Sequence, residues 1–391
     1  MAAPETVWSL VDGGFRVAAF TRKGRTSALR HSHHVTFHEI TSPESDLVTA
    51  LSDLRSLLAS LGKGVNGTPS ILFPLDDKAV WLSSQLALPS SWWLAGPQGS
   101  TAELALNKCV QVRLAEQAGF RVPQTAVARN AADVFACSGK AAFPLILKPA
   151  ECVPVVDGHW VNCKKWVCAD QGELQRAVDQ WGEQVPLLVQ PFIAGTGEGL
   201  FGLAAPEGVR AWSGHRRLRM MNPQGSGSSA CISQAVPEDL KATAQAFVSQ
   251  AQWRGMFMIE LLRDRQGKLW FVELNGRPWG SMALSRAQGL EYPAWHIQLA
   301  LDPESQVGLD GSSEPGLVCR NAGREFMHLL FVLEGPKSKA LRGWPSFWRT
   351  LADVARVHDG DTFYNWRRED ANVFFADFCY TVRDNVFKSR N

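Results

Sequence analysis

A chain of 391 residues can bury two or three cores, and its 40 basic and 38 acidic residues leave a net charge of +2. So even a balance gives no electrostatic footprint for nucleic acid, and no apolar run approaches the ~18 residues that a membrane helix needs. The start MAAPETVWSL has neither a basic n-region nor an adequate apolar h-region, and the cysteines at 109, 137, 152, 163, 168, 231, 319 and 379 form no C-x-x-C pair, which points to reduced thiols in a cytoplasmic protein.

In the N-terminal hundred residues, VWSLVDGG (7–14) reads as the end of a helix and RVAAFTR (16–22) as a strand. LVTALSDLRSLLASLG (47–62) has helical apolar spacing ending at glycine, and SILFPLDD (70–77) is a strand running into an acidic helix start. That rhythm predicts a small parallel sheet. His31, His33, His34 and His38 fall in a short polar connector and read as solvated rather than as a metal site.

Residues 123–185 read as a small α+β lid. Within it, Lys148 ends an apolar strand and is followed by Pro149, so the chain must leave the sheet with the ammonium at its rim. A point charge on a flexible stem suits a phosphate oxygen; an ordinary snorkelling lysine is the alternative. The buried strand PLLVQPFIAG (186–195) ends in a linker whose backbone N–H and C=O groups are exposed to a ligand. The glycines at 195, 197, 199 and 202 form neither a G-x-G-x-x-G fingerprint nor a Walker loop.

The stretch WSGHRRLRMMNPQGSGSS (212–229) is basic and then rich in glycine and serine. Arg216, Arg217 and Arg219 can serve as planar bidentate donors, two of them on one strand face, and PQGSGSS can close over a substrate. A solvated basic strand with a free loop is the alternative. Next, MFMIELLR (256–263) and LWFVELNGRPWG (269–280) are apolar runs joined by the polar turn DRQGK (264–268). An even-length hairpin loop there puts Glu260 and Glu273 on one sheet face, together with Asn275. Buried carboxylates are costly unless paired or holding a metal, and two carboxylates with an amide oxygen suit Mg2+. Salt-bridged glutamates at a strand end, Glu273 to Arg277 for instance, are the alternative. Residues 301–318 read as a linker and 321–391 as helical stretches, with Trp344, Trp348 and Trp366 assigned to core or interface packing.

ELNGRPWGS (273–281) resembles the E-x-N-x-R-x-W-G-S signature of the ATP-grasp superfamily, in its branch resembling the carbamoyl phosphate synthase large subunit. NKCVQVRLAEQAGFRVPQT (107–125) resembles the family's lysine-led helix and strand entry, FPLILKP (143–149) the strand whose lysine reaches ATP phosphate, and LLVQPFIAG (187–195) the hinge strand beside adenine. The resemblance covers roughly residues 15–300. It implies an α/β and α+β architecture: a Rossmann-like preceding domain at 1–106 with its first strand absent or truncated, a two-lobed ATP-grasp domain at 107–300, and a helical or mixed C-terminal tail at 301–391. The lid would be about 123–185 and the metal-binding lobe about 186–300.

The same resemblance implies that Lys108 and Lys148 hold ATP phosphates, that Gln190 and Ile193 lie at the adenine hinge, and that Glu198 is the nearest carboxylate for the ribose. Glu260, Glu273 and Asn275 would hold one or two Mg2+ ions, with Mn2+ as a substitute. Arg277 would hold the transferred phosphoryl or acyl group, and Arg217 and Arg219 would border the acyl substrate. Two departures stand out: Pro191 occupies a position where the family often places an acid, and the lid AECVPVVDGHWVNCKKW (150–166) is bulkier than usual. The implied activity is a Mg-ATP-dependent ligase that activates a substrate carboxylate as an acyl phosphate and couples it to an amine or similar nucleophile. A nucleotide-binding partner subunit without turnover, or a carboxylase or kinase variant, is the alternative. The implied partners are small-molecule carboxylate and amine substrates, with a homodimer as the candidate assembly.

Overall fold

The computed structural model describes residues 2–62, 67–139, 142–225, 227–309, 311–341 and 343–388. Helix Ala3–Asp12 leads into strand Val17–Arg22, which pairs in parallel with Val35–Ile40; after helix Leu47–Leu61, strand Ser70–Leu72 pairs in parallel with Trp92–Leu94. The helix starts are set locally: the Asp46 and Asp76 carboxylates accept from the backbone N–H of Thr49 and Ala79. The expected single parallel sheet is therefore two separate parallel pairs. Val17 and Ile71, one from each pair, share an apolar cluster with Leu10 and Phe15, so side chains rather than backbone hydrogen bonds join the halves.

A second lobe is a four-stranded antiparallel sheet in the order Ala126–Ala128, Leu187–Pro191, Leu145–Pro149, Trp166–Cys168, backed by helices Ala131–Ser138 and Gln171–Trp181. Strand 187–191, placed with the metal-binding lobe by sequence, hydrogen-bonds inside this lid sheet. Leu145, Leu147, Leu187 and Val189 are buried with Val134, Leu174 and Val178 of the two helices. Alternation then turns Lys148 and Gln190 to the opposite face.

The largest element is an eight-stranded sheet. Its path runs Leu269–Asn275, Gly255–Asp264, Gly195–Ala205, Gly208–Met220, Ser228–Gln234, Val318–Arg320, Thr362–Phe363, with Gly311–Ser312 beside Gly208–Met220. Three of these strands come from beyond residue 300, so the region read as linker and tail completes the sheet. Phe257, Ile259 and Leu261 pack with Ala115, Phe247 and Val248 of helices Lys108–Gln117 and Glu238–Gln250. Glu260 therefore projects from the other face.

The turn between the two glutamate strands is odd, not even. Residues 265–267 are bracketed by a bond from the Asp264 N–H to the Lys268 carbonyl, with Gly267 at φ +81. Continued unbroken, that register would set Glu260 opposite Val272 and turn Glu273 to the Phe271 side, the helix-packed core. Instead Leu261 pairs with Phe271 and Glu260 with Glu273, leaving Val272 unpaired as a β-bulge. The same-face outcome expected from the sequence is thus reached by a different device.

The C-terminal helix Ala371–Lys388 closes back on the N-terminal region, where Val373 packs with Val7, Trp8, Ala28 and Leu29, and the Asp370 carboxylate accepts from Trp8 Nε1 at 2.9 Å. Trp348 and Trp366 are 75% and 51% exposed, so of the expected core or interface packing these two do not fill the core, while Trp344 Nε1 donates to the Val332 carbonyl. Among the described residues no helix is long and apolar enough to cross a membrane.

The outer edge of strand Leu269–Asn275 is capped by a side chain. Gln111, fully buried on helix Lys108–Gln117, accepts from the Leu274 N–H at 2.9 Å and donates to the Leu274 carbonyl at 3.0 Å. Gln111→Leu leaves both backbone groups unsatisfied and should destabilise the protein by about 1–3 kcal/mol in urea unfolding. Wild-type stability in that variant would contradict the capping role.

Candidate active site

Glu260 and Glu273 stand directly opposite each other on neighbouring antiparallel strands, and Asn275, opposite Met258, shares their face. Like charges in that relation destabilise a sheet unless cations intervene. Four basic side chains, each from a different element, supply them.

Lys108 is the first residue of its helix, held there because the Asn107 side chain accepts from the N–H groups of Cys109 and Val110. Three residues on, Gln111 pins the helix to Leu274, which brings Lys108 Nζ to 3.7 Å from Glu273 Oε2 and 3.0 Å from Cys152 Sγ. The chain leaving Lys148 returns beside this helix start, with Lys108 N–H donating to the Ala150 carbonyl and Cys152 N–H to that of Leu106, each at 2.8 Å. The two lysines are thereby locked to one another through backbone.

Burial pulls the Lys148 ammonium down to about 8, with Lys108 and Lys165 acting in the same direction and Glu273 and Glu260 opposing them. Burial also opposes ionisation of Glu273, yet Lys108, Lys148 and Arg277 together hold its carboxyl below the ordinary range. Arg277 forks onto Asp77, the first residue of helix Asp77–Ser84 in the N-terminal region, with Nε and Nη2 at 3.0 and 3.1 Å from the two oxygens. Burial disfavours its charge, but Asp77 outweighs that and keeps the guanidinium ionised.

On the other flank, Arg217 Nη2 lies 2.9 Å from Glu260 Oε1. The strand between them is cleared by glycine. A Cβ on Gly197 would come within 2.7 Å of the Arg217 side chain, and one on Gly199 within 2.9 Å of His215 Nε2. His215 is fully buried, and burial with the nearby Arg217 pulls its pKa down to about 3, so it is a neutral neighbour of the site.

Several expected residues are placed elsewhere. Glu198 pairs with Leu261, so it lies on the opposite face from Glu260; there Arg263 holds it bidentately at 2.6 and 3.0 Å and Gln234 donates to it, which removes it from the ribose role. Arg219 is engaged by Glu325, itself paired with Arg320, so it belongs to a structural network and not to the substrate border. Gln190 is buried and donates to Thr125 Oγ1 at 2.7 Å, and Ile193 lies partly exposed between the lid strand and the large sheet, in the connector read as the hinge. His31 bonds Tyr380, and among the described residues no three His, Cys, Asp or Glu side chains gather as a metal cluster. Glu260, Glu273 and Asn275 nonetheless fit a hard cation: two opposed carboxylates and a buried amide on one face are an oxygen donor set.

Two residues escaped the sequence reading. Gln111 carries no signal beyond an ordinary polar helix residue. Lys165, in the bulky lid segment, acts electrostatically on both Lys148 and Glu273, and its Nζ lies 3.7 Å from where a Cβ on Gly225 would be. The lid thus approaches Gly225.

No family model and no curated protein matches the sequence. Among solved structures, the chain is similar to an ADP complex of N5-carboxyaminoimidazole ribonucleotide synthetase (TM-score 0.61, 13% identity, 90% of this chain and 93% of that one). It is also similar to the biotin carboxylase domain of 2-oxoglutarate carboxylase from Hydrogenobacter thermophilus, in complex with MgADP, ADP and bicarbonate (0.60, 14%, 79% and 69%). A third likeness is to the L-amino acid ligase from Bacillus licheniformis (0.58, 18%, 81% and 75%). At such identities the likeness establishes the fold alone, the one that these three structures share.

With a pKa of about 8, Lys148 is charged at neutral pH and loses its proton above it. Any phosphate it holds favours the protonated form, so Mg-ATP affinity should be full below pH 8 and fall as pH rises through it. Titrations between pH 7 and pH 9.5 should show this decline, and Lys148→Arg should flatten it. A wild-type affinity independent of pH over that window would remove Lys148 from the phosphate site.

Proposed function

We propose that the protein is a Mg-ATP-dependent ligase that phosphorylates a substrate carboxylate and couples the resulting acyl phosphate to an amine or similar nucleophile. The observation that carries this reading is the Glu260–Glu273 pair, opposed across two strands and surrounded by Lys108, Lys148, Arg217 and Arg277. A carboxylate-and-amide set with cations on all sides is a receptor for a cation bearing polyphosphate. No side-chain nucleophile is needed for such a reaction, because positioning and neutralisation of charge supply most of the catalysis.

Glu260, Glu273 and Asn275 would hold one or two Mg2+ ions, which when bound neutralise charge on the phosphates. Lys108 and Lys148, tied together by the 106–108 and 150–152 backbone, hold ATP phosphates from the helix side and the lid side. The face of Gln190 and the linker at Ile193 receive the base. Arg277 is held by Asp77 with its fork oriented and charged, and contacts the transferred phosphoryl or acyl group. Arg217 borders the acyl substrate, with Glu260 fixing its direction. Lys165 closes with the lid, which excludes water from a reactive acyl phosphate.

The same proposal takes residues 1–106 as a preceding domain of Rossmann-like origin, 107–300 as a catalytic domain near the carbamoyl phosphate synthase branch, and 301–391 as a C-terminal segment whose strands complete the large sheet. The cytoplasm and a homodimeric assembly, without nucleic-acid partners, are part of the same proposal. The named neighbours support the choice of ligase chemistry, since they include a ribonucleotide synthetase and an amino acid ligase.

Glu273→Gln removes charge from the cation site while preserving size. Turnover should fall by roughly a hundredfold or more, equivalent to about 3 kcal/mol of transition-state stabilisation, with the far-UV circular dichroism unchanged. Near-normal ADP release in this variant would contradict the metal assignment.

A further inference from the structure

Of the two buried arginines among the described residues of the C-terminal segment, Arg320 is paired with carboxylates and Arg324 is not. Glu325 takes both Arg219 and Arg320, and Asp361 also takes Arg320. Arg324, beside Glu325 on helix Ala322–Glu334, is 9% exposed and has no carboxylate partner within 4 Å among the described residues. Its side chain makes one hydrogen bond there, Nη1 to the Ser228 carbonyl at 2.8 Å. A guanidinium has five donors, and a buried one without an anion is costly. Burial accordingly pulls its pKa down to about 10.

Arg324 forms part of the wall of a cavity of about 280 Å³ between the N-terminal region and helix Ala371–Lys388. Asp377 and Asp384 line the same cavity. Asp384 accepts from Thr26 Oγ1 at 3.0 Å and from Arg383, whereas Asp377 accepts from Asn321 Nδ2 at a longer 3.3 Å. Arg324 and Asp377 influence each other electrostatically yet stand too far apart to pair. On its other side Arg324 is under the influence of Arg217, whose fork holds Glu260. Among the described residues the cavity thus carries one charge of each sign without a salt-bridge partner, and Arg324 in its wall is within electrostatic reach of Arg217.

We propose that this cavity binds an amino-acid head group, the α-carboxylate on Arg324 and the α-ammonium on Asp377, so that the end of the molecule presented to Arg217 is its side chain. The reacting role of that side chain rests on the ligase reading; the head-group site does not. Bidentate capture by a guanidinium fixes orientation, and the opposite charge excludes simple carboxylic acids. The C-terminal segment would therefore set which substrates the site accepts.

The full chain is screened by thermal shift with the standard L-amino acids, with and without Mg-ADP. The tightest binder is then titrated beside its decarboxylated and deaminated analogues. At least one amino acid should bind, and loss of either head-group charge should weaken binding about tenfold or more. Arg324→Met should abolish the preference over the decarboxylated analogue, Arg324→Lys should keep part of it, and Asp377→Asn should abolish the preference over the deaminated one. Each variant is compared with wild type for melting temperature and Mg-ADP affinity, which should be unchanged. Failure of every amino acid to bind, or wild-type binding by both folded Arg324→Met and Asp377→Asn, would overturn the assignment. Amino-acid binding without phosphate release from ATP for any substrate would support the cavity while contradicting the ligase reading. Equal phosphate release with carboxylates that lack the head group would do the reverse.

Discussion

The repulsion between two glutamates facing each other across adjacent strands organises this molecule. Glu260 and Glu273 come together on a sheet face where nothing apolar needs a carboxylate, and each is held by cations from different parts of the chain. Helix Lys108–Gln117 supplies Lys108, the lid supplies Lys148 and Lys165, and strand Gly208–Met220 supplies Arg217. Arg277 arrives from just past the second glutamate and is itself fixed by Asp77 in the N-terminal region. The three regions of the chain therefore meet at one electrostatic centre, where the basic side chains offset the repulsion between the two carboxylates.

Much of the surrounding structure serves to hold that pair in place. The bulge at Val272 turns Glu273 away from the helix-packed core, Gln111 closes the free edge beside it, and the two glycines on the neighbouring strand leave room for Arg217 and His215. The C-terminal segment adds strands to the same sheet and neutralises Arg219 while leaving Arg324 without a carboxylate, so the far flank keeps positive potential.

The elements that were legible in the sequence are those whose signal is local. Continuous apolar runs marked the strands of Glu260, Glu273 and Lys148, and the turn residues of DRQGK marked the hairpin. The bulge was not legible, because its single extra residue is an ordinary valine in an apolar strand. Glu198 was misplaced for a related reason: its strand is long and glycine-rich, so which face a carboxylate takes depends on register with Leu261, a non-local pairing. Arg219 and Arg324 depended on a segment whose composition suggested a linker and tail, although its short strands are recruited by a sheet already formed. The two parallel pairs of the N-terminal region likewise reflect the tertiary arrangement, with Leu10 and Phe15 packed between halves that the sequence rhythm joined into one sheet.

The proposed reaction forms an acyl phosphate on the substrate's own carboxylate. In that route a carboxylate oxygen attacks the γ-phosphorus and later leaves with inorganic phosphate when the nucleophile attacks carbon. The direct measurement uses substrate labelled with heavy oxygen in its carboxylate and reads the mass of the phosphate released during coupling. The account predicts one labelled oxygen in each phosphate. Unlabelled phosphate accompanied by accumulating coupled product would contradict it.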